Sequence, residues 1–183
     1  NICYSGVADI FRLPKFSLSF FRTQIAEGSW LPSGKMPYEV FIPAYRDEIL
    51  SDTVLVYGNV NEVELVLNGK SLGRKTADKG PDSDYIPVPN GGNGKNLRFP
   101  PFTFYGVPKE RGVLKAVGYH QGKKVAEYEV KTPGVPDRLD ITYFESGKPA
   151  TKNDLLIVYV RMLDKQGVLC PVNGIPVELS VQG

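Results

Sequence analysis

The sequence has few of the residues and patterns on which several classes of function depend. It contains two cysteines, one histidine and one tryptophan, and its 22 basic residues nearly balance its 20 acidic residues. Without a basic block there is no electrostatic footprint for nucleic acid or for an anionic membrane. No stretch approaches the roughly 18 apolar residues that a membrane span requires, and no charged-then-apolar leader opens the chain. We therefore expect neither nucleic acid nor a membrane among its partners.

Cysteine is too scarce to define a redox compartment. Cys3 and Cys170 lie in separate segments and lack the spacing of a metal site. We interpret them as two unpaired thiols, with one long-range disulfide as the alternative.

Turn-forming and aromatic residues are, by contrast, abundant. The 183 residues include 19 glycines, 15 prolines, 10 tyrosines and 9 phenylalanines. This combination indicates many turns between aromatic-rich strands rather than long helices. Because 42% of the residues are hydrophobic and 23% are charged, the chain has the composition of an ordinary folded domain. We predict an all-β fold with one full core and part of a second.

One helix is predicted near the start, from about Pro14 to Ile25. Proline suits the first turn of a helix, and apolar residues follow near helical spacing. These residues are Leu13, Phe16, Phe20 and Phe21. A lone helix with so many aromatic residues needs another surface to cover them. We therefore assign residues 1–35 to the tail of a neighbouring domain and a Gly/Ser/Pro-rich linker.

Residues 36–133 change to a pattern of short strands separated by turn residues. This pattern is typical of an immunoglobulin-like β-sandwich. The predicted strands are Glu39–Ile42, Thr53–Tyr57, Val63–Leu67, Leu72–Lys75, Phe102–Phe104, Val113–Tyr119 and Val125–Lys131.

Two hairpins are specified by their turns. Asn68-Gly69 is a strong signal for a type I′ turn, and a two-residue loop there puts Leu65 opposite Leu72, with Glu62 and Glu64 facing outward. His120-Gln-Gly-Lys123 joins the last two predicted strands of the sandwich in the same way.

A second β domain is predicted over residues 134–183. The two prolines of Thr132-Pro-Gly-Val-Pro136 indicate a short semi-rigid linker before it. The predicted strands are Leu139–Tyr143, Leu155–Leu163 and Val177–Val181. Three strands leave unpaired edges and cannot close a sandwich. We expect a partial immunoglobulin-like domain, cut short at Gly183, that is either loosely ordered or completed by another chain.

The acidic residues do not form a recognisable catalytic pair. Hydrolysis of a glycoside usually needs two carboxylates that flank a cleft. Glu62, Glu64, Glu127 and Glu129 instead occur at period-two spacing beside apolar residues, which is typical of the solvated face of a strand. Asn61-Glu62 matches a dipeptide that carries the acid/base in many such enzymes, but the chain is too short for the barrel in which that dipeptide acts. We predict no catalytic residue.

The remaining candidates for chemistry are weak. His120, in a predicted turn without a nucleophile, is expected to be solvent-exposed. Asp78, Asp82 and Asp84 miss the spacing of a calcium loop, so an ordinary solvated loop is favoured over a Ca²⁺ site. Asn90–Lys95 is glycine-rich but lacks the ends of a phosphate loop. We therefore predict no metal and no cofactor.

Aromatic residues in loops or at strand edges are candidates for stacking on sugars, because rings with a polar edge suit the faces of pyranoses. The candidates are Trp30, Tyr38, Tyr85 and Tyr105. A packing role is the alternative for each of them.

Several segments together carry a family resemblance. Cys3–Phe16 and Phe20–Gln24 resemble the end of the catalytic barrel in glycoside hydrolase family 2 enzymes of the β-galactosidase type. The following segments resemble the next domain of these enzymes, in the same order. They are Val54–Tyr57, Asn61–Gly73, Pro101–Phe104, Gly112–Tyr119, Val125–Glu127 and Lys131–Gly134.

The resemblance implies a non-catalytic accessory region whose partner is the barrel of a carbohydrate-cleaving parent enzyme. The catalytic glutamates of the family lie in the upstream barrel, and no position here matches either of their motifs. Members of this kind are often exported, which implies a periplasmic or extracellular parent. Two alternatives remain: a carbohydrate-binding module that uses the loop aromatics to hold polysaccharide, and an adhesin-like interaction module.

Overall fold

The computed structural model describes residues 6–11, 13–32, 34–44, 52–78, 97–143, 157–172 and 174–180, which form one short helix and eleven strands. The elements are α1 (Phe16–Thr23), β1 (Trp30–Leu31), β2 (Gly34–Lys35), β3 (Val40–Phe41), β4 (Val54–Gly58), β5 (Glu62–Leu67), β6 (Lys70–Thr76), β7 (Phe102–Phe104), β8 (Val113–His120), β9 (Lys123–Lys131), β10 (Pro136–Tyr143) and β11 (Val158–Asp164). The chain divides into two compact units, Asn1–Thr132 and Pro133–Gly183. Among the described residues, no helix is long and apolar enough to cross a membrane.

The first unit contains the predicted immunoglobulin-like β-sandwich. One sheet has the order β3-β4-β7 and the other the order β6-β5-β8-β9, and all neighbouring strands are antiparallel. Alternate residues of β5 and β8, such as Leu65 and Leu114, are fully buried because a strand sends successive side chains to opposite faces. They pack with Val56 of β4 and Phe102 of β7 in one core.

The β5–β6 hairpin forms with the predicted turn but with an irregular register. Asn68 and Gly69 both have positive φ, 50° and 82°, as a type I′ turn requires. Leu67 pairs with Lys70, but the register then shifts by one residue before Glu64, which pairs with Arg74. The extra residue on β6 is a bulge, and regular alternation resumes in a different phase beyond it. The predicted pairing of Leu65 with Leu72 falls at this bulge, and Leu65 has no cross-strand partner on β6 in the observed register.

The turn residue Asn68 also contacts the segment before β8. Its Oδ1 accepts a hydrogen bond from the backbone N–H of Val113 at 2.8 Å, and its Nδ2 donates to the carbonyl of Arg111 at 2.9 Å. A Cβ at Gly112 would lie 1.9 Å from Asn68 Oδ1, so only glycine fits there. These hydrogen bonds thus link the turn of the β5–β6 hairpin to the start of the β8–β9 hairpin.

The second predicted hairpin and the helix also form. His120 pairs with Lys123 across Gln121 and Gly122, both with positive φ. The helix is shorter at both ends than predicted. The short β1–β2 ladder lies in a stretch that we had assigned only to a linker, because two-residue strands leave no periodic pattern in the sequence.

The second unit consists of a β10–β11 hairpin with one apolar face. Leu139 pairs with Met162, Ile141 with Val160 and Tyr143 with Val158. These six side chains share one face, and those of β10 are 43%, 57% and 56% exposed in chain order. The prediction of a strand over Val177–Val181 is wrong for residues 177–180, which pair with no described strand. An alternating sequence cannot hold an extended ladder without a partner.

A buried carboxylate fixes the end of this hairpin. Asp164 is 2% exposed, and its oxygens accept hydrogen bonds from the backbone N–H groups of Gly134 (2.7 Å), Gln166 (2.9 Å) and Val168 (2.8 Å). These bonds lower the pKa of Asp164, the bond from Gly134 having the largest effect. The turn after β11 is therefore held by an ionised aspartate.

Candidate functional site

Helix α1 packs one of its sides on the sandwich. The ring of Phe20 meets that of Tyr57 edge-on, with centroids 5.0 Å apart, and Phe16 lies 5.6 Å from Phe41. Such tilted pairs add to the gain from burial. The aromatic residues that predicted the helix therefore have a partner within this unit, on one side of the helix.

Polar side chains fix the same helix and the segment after it. Gln24 forms two hydrogen bonds with the backbone of Phe99, donating from Nε2 at 2.9 Å and accepting at Oε1 at 3.1 Å. The Arg22 guanidinium pairs with Glu39 through two of its nitrogens, which raises the pKa of Arg22. A paired guanidinium of this kind restricts geometry more than a single contact does. The helix is thus held at a defined angle.

Asn59 is a buried polar residue at the centre of this attachment. It is 4% exposed, and its Nδ2 donates to the carbonyls of Ile25 at 3.0 Å and Pro37 at 3.1 Å. Its Oδ1 accepts from the backbone N–H of Glu39 at 2.6 Å. A buried amide costs free energy unless it is bonded in this way. Asn59 therefore joins the chain on both sides of the β1–β2 hairpin to the sandwich.

The N-terminal segment and helix α1 also carry exposed apolar residues. We call them the N-terminal apolar surface, which comprises Val7, Ile10, Phe11, Leu13 and Phe21. Ile10 and Phe21 are 64% and 55% exposed. The turn before the helix is rigid, because Asp9 Oδ1 accepts from the backbone N–H groups of Phe11 and Leu13. A set of large apolar side chains presented on fixed backbone is typical of an interface.

The outer face of the four-stranded sheet has the opposite character. Glu64 accepts hydrogen bonds from the hydroxyls of Ser71 (2.6 Å) and Tyr119 (2.8 Å), which lower the pKa of Glu64 and raise that of Tyr119. Arg74 lies 3.7 Å above the Tyr119 ring and pairs with Glu62 at 2.5 Å. The glutamates predicted to face solvent are confirmed on this outer face.

The other edge of this outer face is also paired. Glu127 contacts Lys124 at 2.6 Å, and Glu129 contacts both Lys115 and Lys131. The lysines lower the pKa of both glutamates, chiefly through hydrogen bonds to their carboxylates. Ion pairs between half-exposed side chains, within a strand or across two strands, are typical of the solvent-exposed face of a sheet.

The structure separates the four aromatic candidates for sugar binding. Trp30 lies on β1 with 78% of its side chain exposed, whereas Tyr38 is half-buried and stacks on His120 with ring centroids 4.7 Å apart. Tyr105 follows β7, is 42% exposed and lies 5.7 Å from Lys75 Nζ. Tyr85 lies outside the described residues. Trp30 is therefore the most accessible of the three that are described.

Other predicted sites have structural partners. The expectation of a solvent-exposed His120 is wrong, because its ring is half-buried against Tyr38 and its Nδ1 is covered. Asn61 Oδ1 accepts from the backbone N–H of Gln121, next to the ion-paired Glu62. Asp78 accepts from the Thr103 hydroxyl at 2.5 Å.

No group of three metal-ligating side chains occurs in the described part of the chain. The predicted Asp82, Asp84 and Asn90–Lys95 lie outside the described residues.

Known proteins are similar to this chain over its full length. A family model described as a domain of unknown function (DUF4982) matches residues 51–126. A β-galactosidase of Thermoanaerobacter pseudethanolicus is 33% identical over 100% of this chain and 24% of its own length. The β-galactosidase BoGH2A of Bacteroides ovatus is 31% identical over 98% of this chain and 18% of its own length. The chain therefore spans a quarter or less of these curated relatives.

A solved structure shares the fold. The structure of a β-glucuronidase from glycoside hydrolase family 2 superposes on 91% of this chain and 15% of its own, with a TM-score of 0.70 and 22% identity. Such a likeness shows that the fold is the same, while function has to be argued from sites.

Proposed function

We propose that this chain belongs to the C-terminal region of glycoside hydrolase family 2 enzymes and is a non-catalytic accessory β-sandwich that packs against the catalytic barrel of its parent enzyme. The observation that carries the proposal is the two-sided helix α1. Phe20 packs against Tyr57 of the sandwich, whereas the adjacent Phe21 contacts the Phe20 ring edge-on at 5.5 Å and is still 55% exposed. A helix that is apolar on both sides is typical of a position between two partners.

The charges of the sandwich support the same orientation. The outer face of the four-stranded sheet is covered by paired glutamates, lysines and arginine, and such pairs lose little free energy by remaining in water. Burial of these charges would cost several kcal/mol per ion. The N-terminal apolar surface therefore faces the barrel in this proposal, and the charged sheet faces solvent.

The non-catalytic role is supported by the state of the glutamates. A glycosidase needs a general acid whose pKa is raised by burial. The pKa values of Glu64, Glu127 and Glu129 are instead lowered by their hydrogen-bond partners. All three are held as carboxylates that accept bonds from neighbouring residues.

The names of the relatives support a proposal for the parent's activity, and the family resemblance supports one for its location. Both curated relatives described above are named β-galactosidases. We propose that the parent cleaves β-galactosides within carbohydrate metabolism and that it is exported to the periplasm or the cell exterior.

The test compares two adjacent phenylalanines in two contexts. Phe21→Ala in the isolated 183-residue chain should cost no more than about 1.5 kcal/mol of unfolding free energy, because the side chain is 55% exposed and loses one edge contact with Phe20. The same substitution in the full-length enzyme should cost about 3 to 5 kcal/mol if the ring is buried against the barrel. Thermal melts of both proteins measure the difference.

Phe20→Ala is the matched control. It removes the contact with Tyr57 and should destabilise the isolated chain as well as the full-length enzyme. The isolated chain should also hydrolyse no nitrophenyl β-galactoside. A full-length Phe21 variant that melts like the unmodified enzyme would remove the barrel contact from the proposal, and turnover by the isolated chain would remove the non-catalytic role.

A further inference from the structure

The β1–β2 hairpin presents the only tryptophan of the sequence to solvent. Trp30 is 78% exposed, and within the part of the chain that the structure describes its ring makes no ring or cation contact. Tryptophan carries the largest apolar side chain, so leaving its ring in water forgoes a stabilisation of a few kcal/mol. This exposure needs an explanation other than packing within the sandwich.

The backbone beneath the ring is fixed. Gly28 donates to the carbonyl of Met36 at 2.8 Å, and Met36 donates to the carbonyl of Ser29 at 2.9 Å. Met36 is 2% exposed and roots the hairpin in the interior of the unit. Trp30 therefore projects from a short ladder with a buried base, so little backbone freedom is lost when a ligand binds.

The immediate surroundings are polar and open. Lys35 is the cross-strand partner of Trp30, so their side chains leave the same face of the ladder with Cβ atoms about 5 Å apart. A Cβ placed at Gly28 or Gly34 would meet no described atom within 4 Å, so the hairpin is open at these two positions. One indole beside one ammonium, with small residues around them, differs from the crowded N-terminal apolar surface.

We propose that Trp30 and Lys35 form a carbohydrate-binding site for a single pyranose unit of a polysaccharide. The indole takes the C–H face of the sugar ring, and the Lys35 ammonium donates hydrogen bonds to hydroxyls at the ring edge. A few polar groups beside one apolar surface are the usual composition of a small-ligand site. The site holds polysaccharide near the parent enzyme and does not depend on the barrel contact proposed above.

The single tryptophan makes the test direct. In the 183-residue chain, acrylamide should quench the Trp30 emission efficiently, because the ring is exposed. Addition of soluble galactan should shift the emission to shorter wavelength and reduce the quenching. Arabinogalactan and xyloglucan serve as further probes. Unchanged emission with all three polysaccharides, or a ring already protected from acrylamide without sugar, would refute the proposal.

Variants assign the effect to the site. In affinity electrophoresis through galactan, Trp30→Ala should lose at least tenfold in affinity, Trp30→Phe should keep part of it, and Lys35→Ala should lose severalfold. Tyr143→Ala removes another exposed aromatic ring and should bind like the unmodified chain.

The full-length enzyme separates this proposal from the barrel contact. Trp30→Ala should weaken its retention by galactan and leave its melting temperature unchanged, whereas Phe21→Ala should do the reverse. A Trp30 variant that lowers the melting temperature and leaves retention unchanged would show that the ring packs against the enzyme itself, which would overturn the sugar site.

Discussion

The sandwich of the first unit and the β10–β11 hairpin of the second are both built from alternating strands, yet they bury their apolar residues to different extents. In the sandwich, Leu65 and Leu114 are fully buried between two sheets. In the hairpin, Ile141 faces out and is 57% exposed. Alternation supplies one apolar face to a sheet, but only a second layer removes that face from water. Burial therefore depends on a partner layer as well as on the pattern.

The largest expected effect is the difference in stability loss between two alanine substitutions, one of an apolar residue in each region. Leu65→Ala should cost about 2 to 5 kcal/mol of unfolding free energy, because it leaves a cavity in a closed core. Ile141→Ala should change stability by about 0.5 kcal/mol or less, because its side chain is exposed in the chain as it stands. Urea denaturation followed by far-UV circular dichroism, with amide exchange to identify each unit, measures both. Equal losses at the two sites would contradict the comparison.

An intermediate effect is expected at the turn that fastens two hairpins. Asn68→Gly keeps the positive φ that the turn requires but removes the hydrogen bonds to Arg111 and Val113. Two such bonds contribute about 1 to 3 kcal/mol together. The same urea experiment measures the loss. Gln121→Gly, at the equivalent position of the other turn, is the matched control and should cost less, so a larger loss for Gln121→Gly would argue against the fastening role of Asn68.

The smallest expected effect is a pH dependence of the turn after β11. The pKa of Asp164 is lowered in the folded chain, so its contribution is complete above the unfolded aspartate pKa of about 3.9 and is lost as the pH falls through the lower folded value. Protection of the Gln166 and Val168 amides from exchange should therefore weaken in this acid range. Asp164→Asn should abolish this dependence at the two amides and leave that of the sandwich, where Glu64, Glu127 and Glu129 also have lowered pKa values, unchanged. An unchanged acid dependence of the two amides in Asp164→Asn would assign the acid sensitivity elsewhere.

Much of the sandwich could be predicted from local pattern. The Asn68-Gly69 and Gln121-Gly122 turns each join two alternating strands, so the chemistry of the turn and the periodicity of the strands agree. Agreement of this kind leaves few competing arrangements. The spacing of aromatic residues before residue 25 also predicted a helix that packs against another surface. The observed helix is two residues shorter than predicted at each end.

The attachment of that helix could not be predicted. Gln24 bonds to Phe99, which is 75 residues away in sequence, and Asn59 bonds to segments 20 to 34 residues away. The residues next to a glutamine or asparagine in the sequence do not indicate such a distant hydrogen-bond partner. The sequence identified Trp30 only as one of four candidate aromatic residues, because no sequence pattern indicates which of these rings is buried by the sandwich.

The sequence by itself determined the alternation of the strands, the type I′ turns and the balance of charge, because each depends on residues within a few positions of one another. Only the tertiary structure decided which side chains face which surface. The bulge on β6 reverses the alternation of the strand, so that Arg74 faces outward to Glu62 and Lys75 reaches the carbonyl of Thr103. Tertiary packing likewise left Trp30 exposed and buried Asn59. Burial is set by contacts between distant segments, and those contacts exist only once the chain has folded.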